Sequence, residues 1–155
     1  MLILPLFVSC KYAEAKPTPP NLELNGELCS IQYETKFCRA KITHCPQGIT
    51  SITFTDPTEL EGIVYSFSGN GCTIMFDDLK LSTDRSFLNS KALPQMIRDS
   101  LCNAQQENAL VYVETEQPEA STLKFAVFQG ETNGYTYTIK TDYSTGIIKQ
   151  FSFNT

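Results

Sequence analysis

Glu27-Leu28-Cys29-Ser30-Ile31-Gln32-Tyr33-Glu34-Thr35-Lys36-Phe37-Cys38-Arg39-Ala40-Lys41-Ile42-Thr43 decides the fold. Cys29, Ile31 and Tyr33 alternate with polar neighbours, and so do Cys38, Ala40 and Ile42. A period of two puts each set on one face of a half-buried strand. With Thr35-Lys36 as the turn, Tyr33 faces Cys38, Ile31 faces Ala40 and Cys29 faces Ile42. Gln32/Arg39 and Ser30/Lys41 then share the wet face. A one-residue slip would turn both apolar sets outward, so the pattern specifies an antiparallel hairpin.

The same reading extends along the chain. Ile49–Thr55 is a third strand with Ile52 and Phe54 inward, ended by Asp56-Pro57. Residues 57–62 make a turn closed by Gly62. Ile63–Ser68 and Cys72–Asp77 flank Asn70-Gly71, a strong hairpin signal that pairs Phe67 with Ile74 and Tyr65 with Phe76. Leu79 and Leu81 continue into a short strand. Leu93, Met96, Ile97, Leu101 and Ala104 recur at helical spacing. Pro94 fits only a first turn, which places the helix start near Leu93 with Ser90 as its cap. Four strands follow: Leu110–Thr115, Thr122–Phe128, Tyr135–Thr141 and Ile147–Phe153. Thr145-Gly146 turns the last pair, with a bulge expected at Gly146, and the adjacent Ile147 and Ile148 compete for the core position. About nine or ten strands and one or two helices predict a mainly β (α+β) fold. Its expected form is a strongly curved antiparallel sheet or half-barrel with a helix packed on the concave face. A sandwich accommodates a mid-chain helix less well.

Composition limits the function. The chain has 155 residues, enough for one domain. Twelve Lys and Arg against seventeen Asp and Glu give a net charge of −5, without the basic footprint that nucleic acid needs. No apolar run reaches the roughly 18 residues of a membrane-spanning helix.

The N-terminus predicts location. Leu2–Val8 is an apolar run of signal-peptide type, followed by small Ser9 and then Cys10. This order resembles the bacterial lipobox, in which the cysteine sulfur is lipidated and the chain is cut just before it. Residues 1–9 are therefore expected to be a lipoprotein signal peptide and Cys10 the lipidated residue. No Lys or Arg precedes Cys10, a departure from the usual n-region that an upstream start codon would explain. Lys11–Pro20 holds three prolines in its last four residues, the composition of a semi-rigid spacer. Residues 10–20 then form a tether and 21–155 the β domain. Acyl chains gain about 0.8 kcal/mol per buried CH₂, which would hold the protein at the extracytoplasmic face of the cell membrane.

Catalytic signatures are absent from the pattern. His44 is the single imidazole, expected at a strand end or surface, and its neighbour Cys45 points to the opposite face. No nucleophile elbow or phosphate loop occurs, and Asp77-Asp78 and Glu59/Glu61 are carboxylates that solvate turns. Cys38, His44 and Cys45 lack zinc-site spacing. Beyond Cys10 the odd set Cys29, Cys38, Cys45, Cys72 and Cys102 cannot all pair within one chain, and Cys29, Cys38 and Cys72 occupy inward positions as small hydrophobes. No enzyme activity, cofactor or metal is expected. The remaining candidates are aromatic and apolar: Phe54, Tyr65, Phe67, Ile74, Phe76, Met96, Ile97, Phe125 and Tyr137. They would pack a core or line a hydrophobic cavity between sheet and helix.

The early hairpin, the run Ile52–Gly62, the Tyr65 strand with Asn70-Gly71, the mid-chain helix and the Tyr137–Gly146 hairpin together resemble small LolA-like lipoproteins of anaerobic Gram-positive bacteria. That resemblance implies a half-open barrel closed by helices, carrying lipid in its hollow. The expected function is non-catalytic binding of a lipid or other hydrophobic ligand at the membrane. The alternative is a cell-surface structural or protein-interaction module with a fully packed core.

Overall fold

The structure is a computed structural model that describes residues 14–154. The signal-peptide segment and Cys10 lie outside the described residues. Ten strands and one α-helix follow in the order β1 (Leu24–Tyr33), β2 (Lys36–His44), β3 (Thr50–Asp56), β4 (Val64–Ser68), β5 (Gly71–Phe76), β6 (Leu79–Asp84), a 3-10 turn (Arg85–Phe87), α1 (Leu93–Ala104), β7 (Val111–Glu116), β8 (Phe125–Thr132), β9 (Tyr135–Asp142) and β10 (Ile148–Asn154). The chain is mainly β. All ten strands form one open sheet in the order β6-β5-β4-β3-β2-β1-β10-β9-β8-β7.

The sheet is antiparallel as expected, except at one central pair. Two meanders, β1–β6 and β7–β10, meet where β1 pairs parallel to β10, with Ile31 opposite Phe151 and Tyr33 opposite Phe153. Since β6 and β7 lie at opposite edges, the connection between them, including α1, must traverse the sheet.

Two hairpin registers also differ from expectation, both by two residues. Ile31 faces Cys38 and Cys29 faces Ala40, because the first turn is Glu34-Thr35, with Glu34 at φ 54°. Phe67 faces Cys72 and Tyr65 faces Ile74, because Gly69 at φ 53° leads the second turn. A two-residue slip preserves which face each side chain takes, so hydrophobic alternation cannot detect it. Only the turn conformation decides, and Gly in the first central position suits a two-residue loop. The Asn-Gly signal holds instead at Asn133-Gly134, where both residues have positive φ and join Thr132 to Tyr135.

Other boundaries shift less. β8 starts at Phe125 and runs to Thr132. Ile148 takes the core position, and the register irregularity falls between Ile148 and Gln150, not at Gly146. The helix begins at Leu93 with Pro94 in its first turn, but Ala92 is the N-cap and no side chain caps it, so Ser90 does not. Met96, Ile97, Leu101 and Ala104 are buried as their spacing predicts.

The core joins this helix face to the inward residues of both meanders, among them Ile31, Ala40, Ile52, Phe54, Tyr137, Ile139 and Phe151. Phe151 and Phe153 stack at 6.4 Å, and Tyr135 meets Phe153 edge-on at 6.0 Å. The described part of the Pro-rich segment is docked on this body. Thr18 donates through its N–H to the Tyr143 carbonyl at 2.9 Å and through its hydroxyl to Ser144 O at 2.7 Å. Asn21 N–H donates to Gly146 O at 2.9 Å. Gly146, at φ 73°, has no room for a side chain because the Pro19 carbonyl occupies that space.

Candidate functional site

Most of the aromatic and apolar candidates pack a core. Phe54, Phe67, Met96, Ile97 and Tyr137 are buried within one cluster. The Tyr137 ring lies over Gly130, its cross-strand partner, where any Cβ would collide with it. Tyr65 and Ile74 are partly buried against the same cluster, and Tyr65 meets Phe54 edge-on at 6.1 Å. Phe125 is half-buried at the start of β8. Phe76 is 45% exposed beside Leu79 and Leu81, on a part of the sheet that the core leaves open.

A connected apolar space forms at the end of the β1–β2 hairpin. A cleft of about 310 Å³ is lined by Tyr33, Phe37, Cys38, Pro57, Leu60 and Leu93, with Lys36 as its charged lining residue. Three pieces of local chemistry assemble it. The tight Glu34-Thr35 turn brings Tyr33 and Lys36 opposite one another. The turn at 57–62 is tied by Leu60 N–H to Pro57 O at 2.9 Å and by Gly62 N–H to Phe54 O at 3.0 Å, which holds Leu60 beside the cleft. Leu93 comes from the first turn of α1. The volume sits at the lower end for small-molecule pockets, and the lining is the apolar type they favour. None of the expected lining residues belongs to it. Phe37 was the available signal: a large aromatic on the polar face of its strand, 67% exposed.

His44 stands at the end of β2, as expected of a strand-end histidine, but it is 1% exposed and not at the surface. It shares strand parity with Cys38, Ala40 and Ile42, so it points into the core at the end of β2. Its Nε2 meets the Gln105 side-chain amide at 2.6 Å and its Nδ1 meets Thr50 Oγ1 at 2.8 Å. With the amide donating to Nε2, the Nδ1–H donates to Thr50, and the ring is neutral. It thereby links β2 and β3 to the residue that caps α1. Burial, with the Arg98 guanidinium second, pushes the His44 pKa below its usual 6.5. Protonation would set two N–H donors face to face.

The linkage sign follows from that direction. A histidine depressed in the folded state contributes stability that is fully present above about 6.5 and is lost as pH falls toward the folded value. Chemical unfolding between pH 7.5 and 5 should show this loss, with a slope of up to about 1.4 kcal/mol per pH unit. Arg98→Gln should shrink it by raising the folded pKa, and His44→Gln should remove it. An equal slope in parent and His44→Gln would refute the assignment. Asp142, whose turn hydrogen bonds from Ser144 and Thr145 hold it at about 2, acts in a lower window.

Cys29, Cys38, Cys45, Cys72 and Cys102 are all free thiols. Burial pushes Cys29 up to about 12 and Cys38 up to about 11, so neither is a nucleophile at neutral pH. Among the described residues, no three His, Cys, Asp or Glu side chains gather as a metal site. Compared with known proteins, the chain matches no family model, no curated protein and no solved structure.

Proposed function

We propose that this chain is a non-catalytic, extracytoplasmic binding lipoprotein, anchored through Cys10 and taking a lipid or other hydrophobic group in the cleft at the β1–β2 tip. The single observation behind the reading is that about 310 Å³ of apolar space opens where α1 begins. Six largely apolar side chains and Lys36 wall it, and the exposed Phe37 extends its rim. In this reading the open sheet is the LolA-like half-barrel, α1 lies on its concave face, and the ligand enters at one end because the interior is already filled. The filled interior also favours a second reading, a cell-surface interaction module, for which the cleft is incidental.

Native mass spectrometry and uptake of an environment-sensitive apolar dye by the purified chain separate the two. The binding reading expects bound lipid or dye, and at least a tenfold loss of affinity in Leu60→Asp. Phe37→Ser, at a largely exposed position, should weaken binding while leaving the thermal midpoint nearly unchanged. Absence of both lipid and dye uptake would leave the interaction module. In cells, Cys10→Ser should move the protein from the membrane to the soluble fraction. Unchanged membrane association would refute the anchor.

A further inference from the structure

The two edges of the sheet are protected unequally. β7 carries a register irregularity between Tyr112 and Glu114 and two acidic residues, Glu114 and Glu116. These features discourage strand addition. β6 also carries two charges, Lys80 and Asp84, but of opposite sign, and it has neither a bulge nor a proline, with all its pairs to β5 in unbroken register. Its outer edge has no strand partner among the described residues. Leu79 is 73% exposed and Leu81 60%, on the same face as the half-exposed Phe76. A regular edge strand whose charges can pair with their own kind in a second copy is a template for pairing with another strand.

The sequence of β6 says which strand. Lys80, Ser82 and Asp84 share the opposite face, as the contact of Thr73 Oγ1 with Ser82 Oγ at 3.3 Å shows for its middle member. Two antiparallel copies of β6 related by a two-fold axis at Ser82 place each Lys80 opposite Asp84 of the other copy. Leu81 then faces Thr83 directly and the second Leu81 diagonally, within side-chain reach. A shift by four in the sum of paired positions would set Lys80 against Lys80, which like-charge repulsion disfavours. β7 paired with itself would bring glutamates together and offers no cation. We propose that β6 is a self-complementary docking edge through which two copies of this chain form a two-fold dimer with a continuous twenty-stranded sheet, Lys80 of each copy paired with Asp84 of the other.

Sedimentation equilibrium of the purified chain over a wide concentration range tests this. The expected result is a concentration-dependent dimer that gains no further mass. Lys80→Glu should weaken it at least tenfold, and Lys80→Glu combined with Asp84→Lys should restore it. Because Asp84 also accepts the Ser86 N–H at 2.8 Å, a second measurement avoids that position. Ser82→Cys in a Cys10→Ser, Cys45→Ser, Cys102→Ser background should cross-link to a covalent dimer under mild oxidation. A monomer at every concentration would overturn the proposal and leave the edge to an extended segment of another protein. Growth beyond a dimer would overturn it in favour of β6-to-β7 stacking, since a head-to-tail contact does not close. A dimer insensitive to both charge changes and not cross-linked at Ser82 would place the interface elsewhere.

Discussion

Tyr137→Ala is expected to lower the unfolding free energy by about 3–5 kcal/mol, the range for truncating a large buried aromatic. The side chain has no solvent exposure, its ring fills the space above Gly130, and its hydroxyl donates to Asn103 Oδ1 at 2.6 Å. Tyr137→Phe keeps the ring and strands the Asn103 acceptor, at a cost of about 1–2 kcal/mol. The glycine supplies the more discriminating test. Gly130→Ala should be destabilising in the parent, where the new methyl meets the ring, and nearly neutral once Tyr137 is alanine. Urea unfolding of the four chains gives the coupling directly. Additive costs would mean that ring and glycine do not share the space.

Asp99→Ala should be the next most damaging change, at about 2–4 kcal/mol. This carboxylate accepts from Gln95 Nε2 at 2.9 Å, Arg98 at 2.9 Å and Asn133 Nδ2 at 3.0 Å, with Arg85 at 3.9 Å. It therefore ties α1 to the 3-10 turn before it and to the β8–β9 turn. Its own exposure is 11%, whereas Arg98 and Arg85 keep 21% and 29%, so solvent screening removes part of the ion-pair energy. The larger loss comes from unpaired donors: Gln95 is buried, and its Oε1 already lacks a hydrogen-bond partner, as does Arg85 Nη1. Asp99→Asn retains acceptor capacity on one oxygen and should cost less. A variant within about 0.5 kcal/mol of the parent, the usual range for an exposed substitution, would mark the cluster as solvated surface.

Strand faces were legible wherever period two was strong. Cys29, Ile31, Ala40, Ile42, Ile52 and Phe54 are all buried as alternation predicts. Registers were not, because displacement by two residues conserves every face; the conformations of Glu34 and Gly69 carried that information. Nor does periodicity distinguish parallel from antiparallel neighbours, which hid the β1–β10 pairing. His44 was placed correctly at a strand end, but its burial was not legible although its strand parity pointed inward, since the buried partners that make a neutral imidazole acceptable, Thr50 and Gln105, are remote in the pattern. The aromatics announced a substantial interior without saying whether they would fill it. Space remained where irregular backbone, the 57–62 turn and the start of α1, meets the hairpin tip.

The parallel seam at the centre of the sheet also sets an order of events for the nascent polypeptide. β1 is made among the first described elements, and its second neighbour is the last strand, so one long edge of the first meander must wait through synthesis of nearly the whole domain. Closing so long a loop is entropically slow compared with zipping a hairpin. Until β10 arrives, the backbone groups of β1 that will pair with it are open to any passing strand.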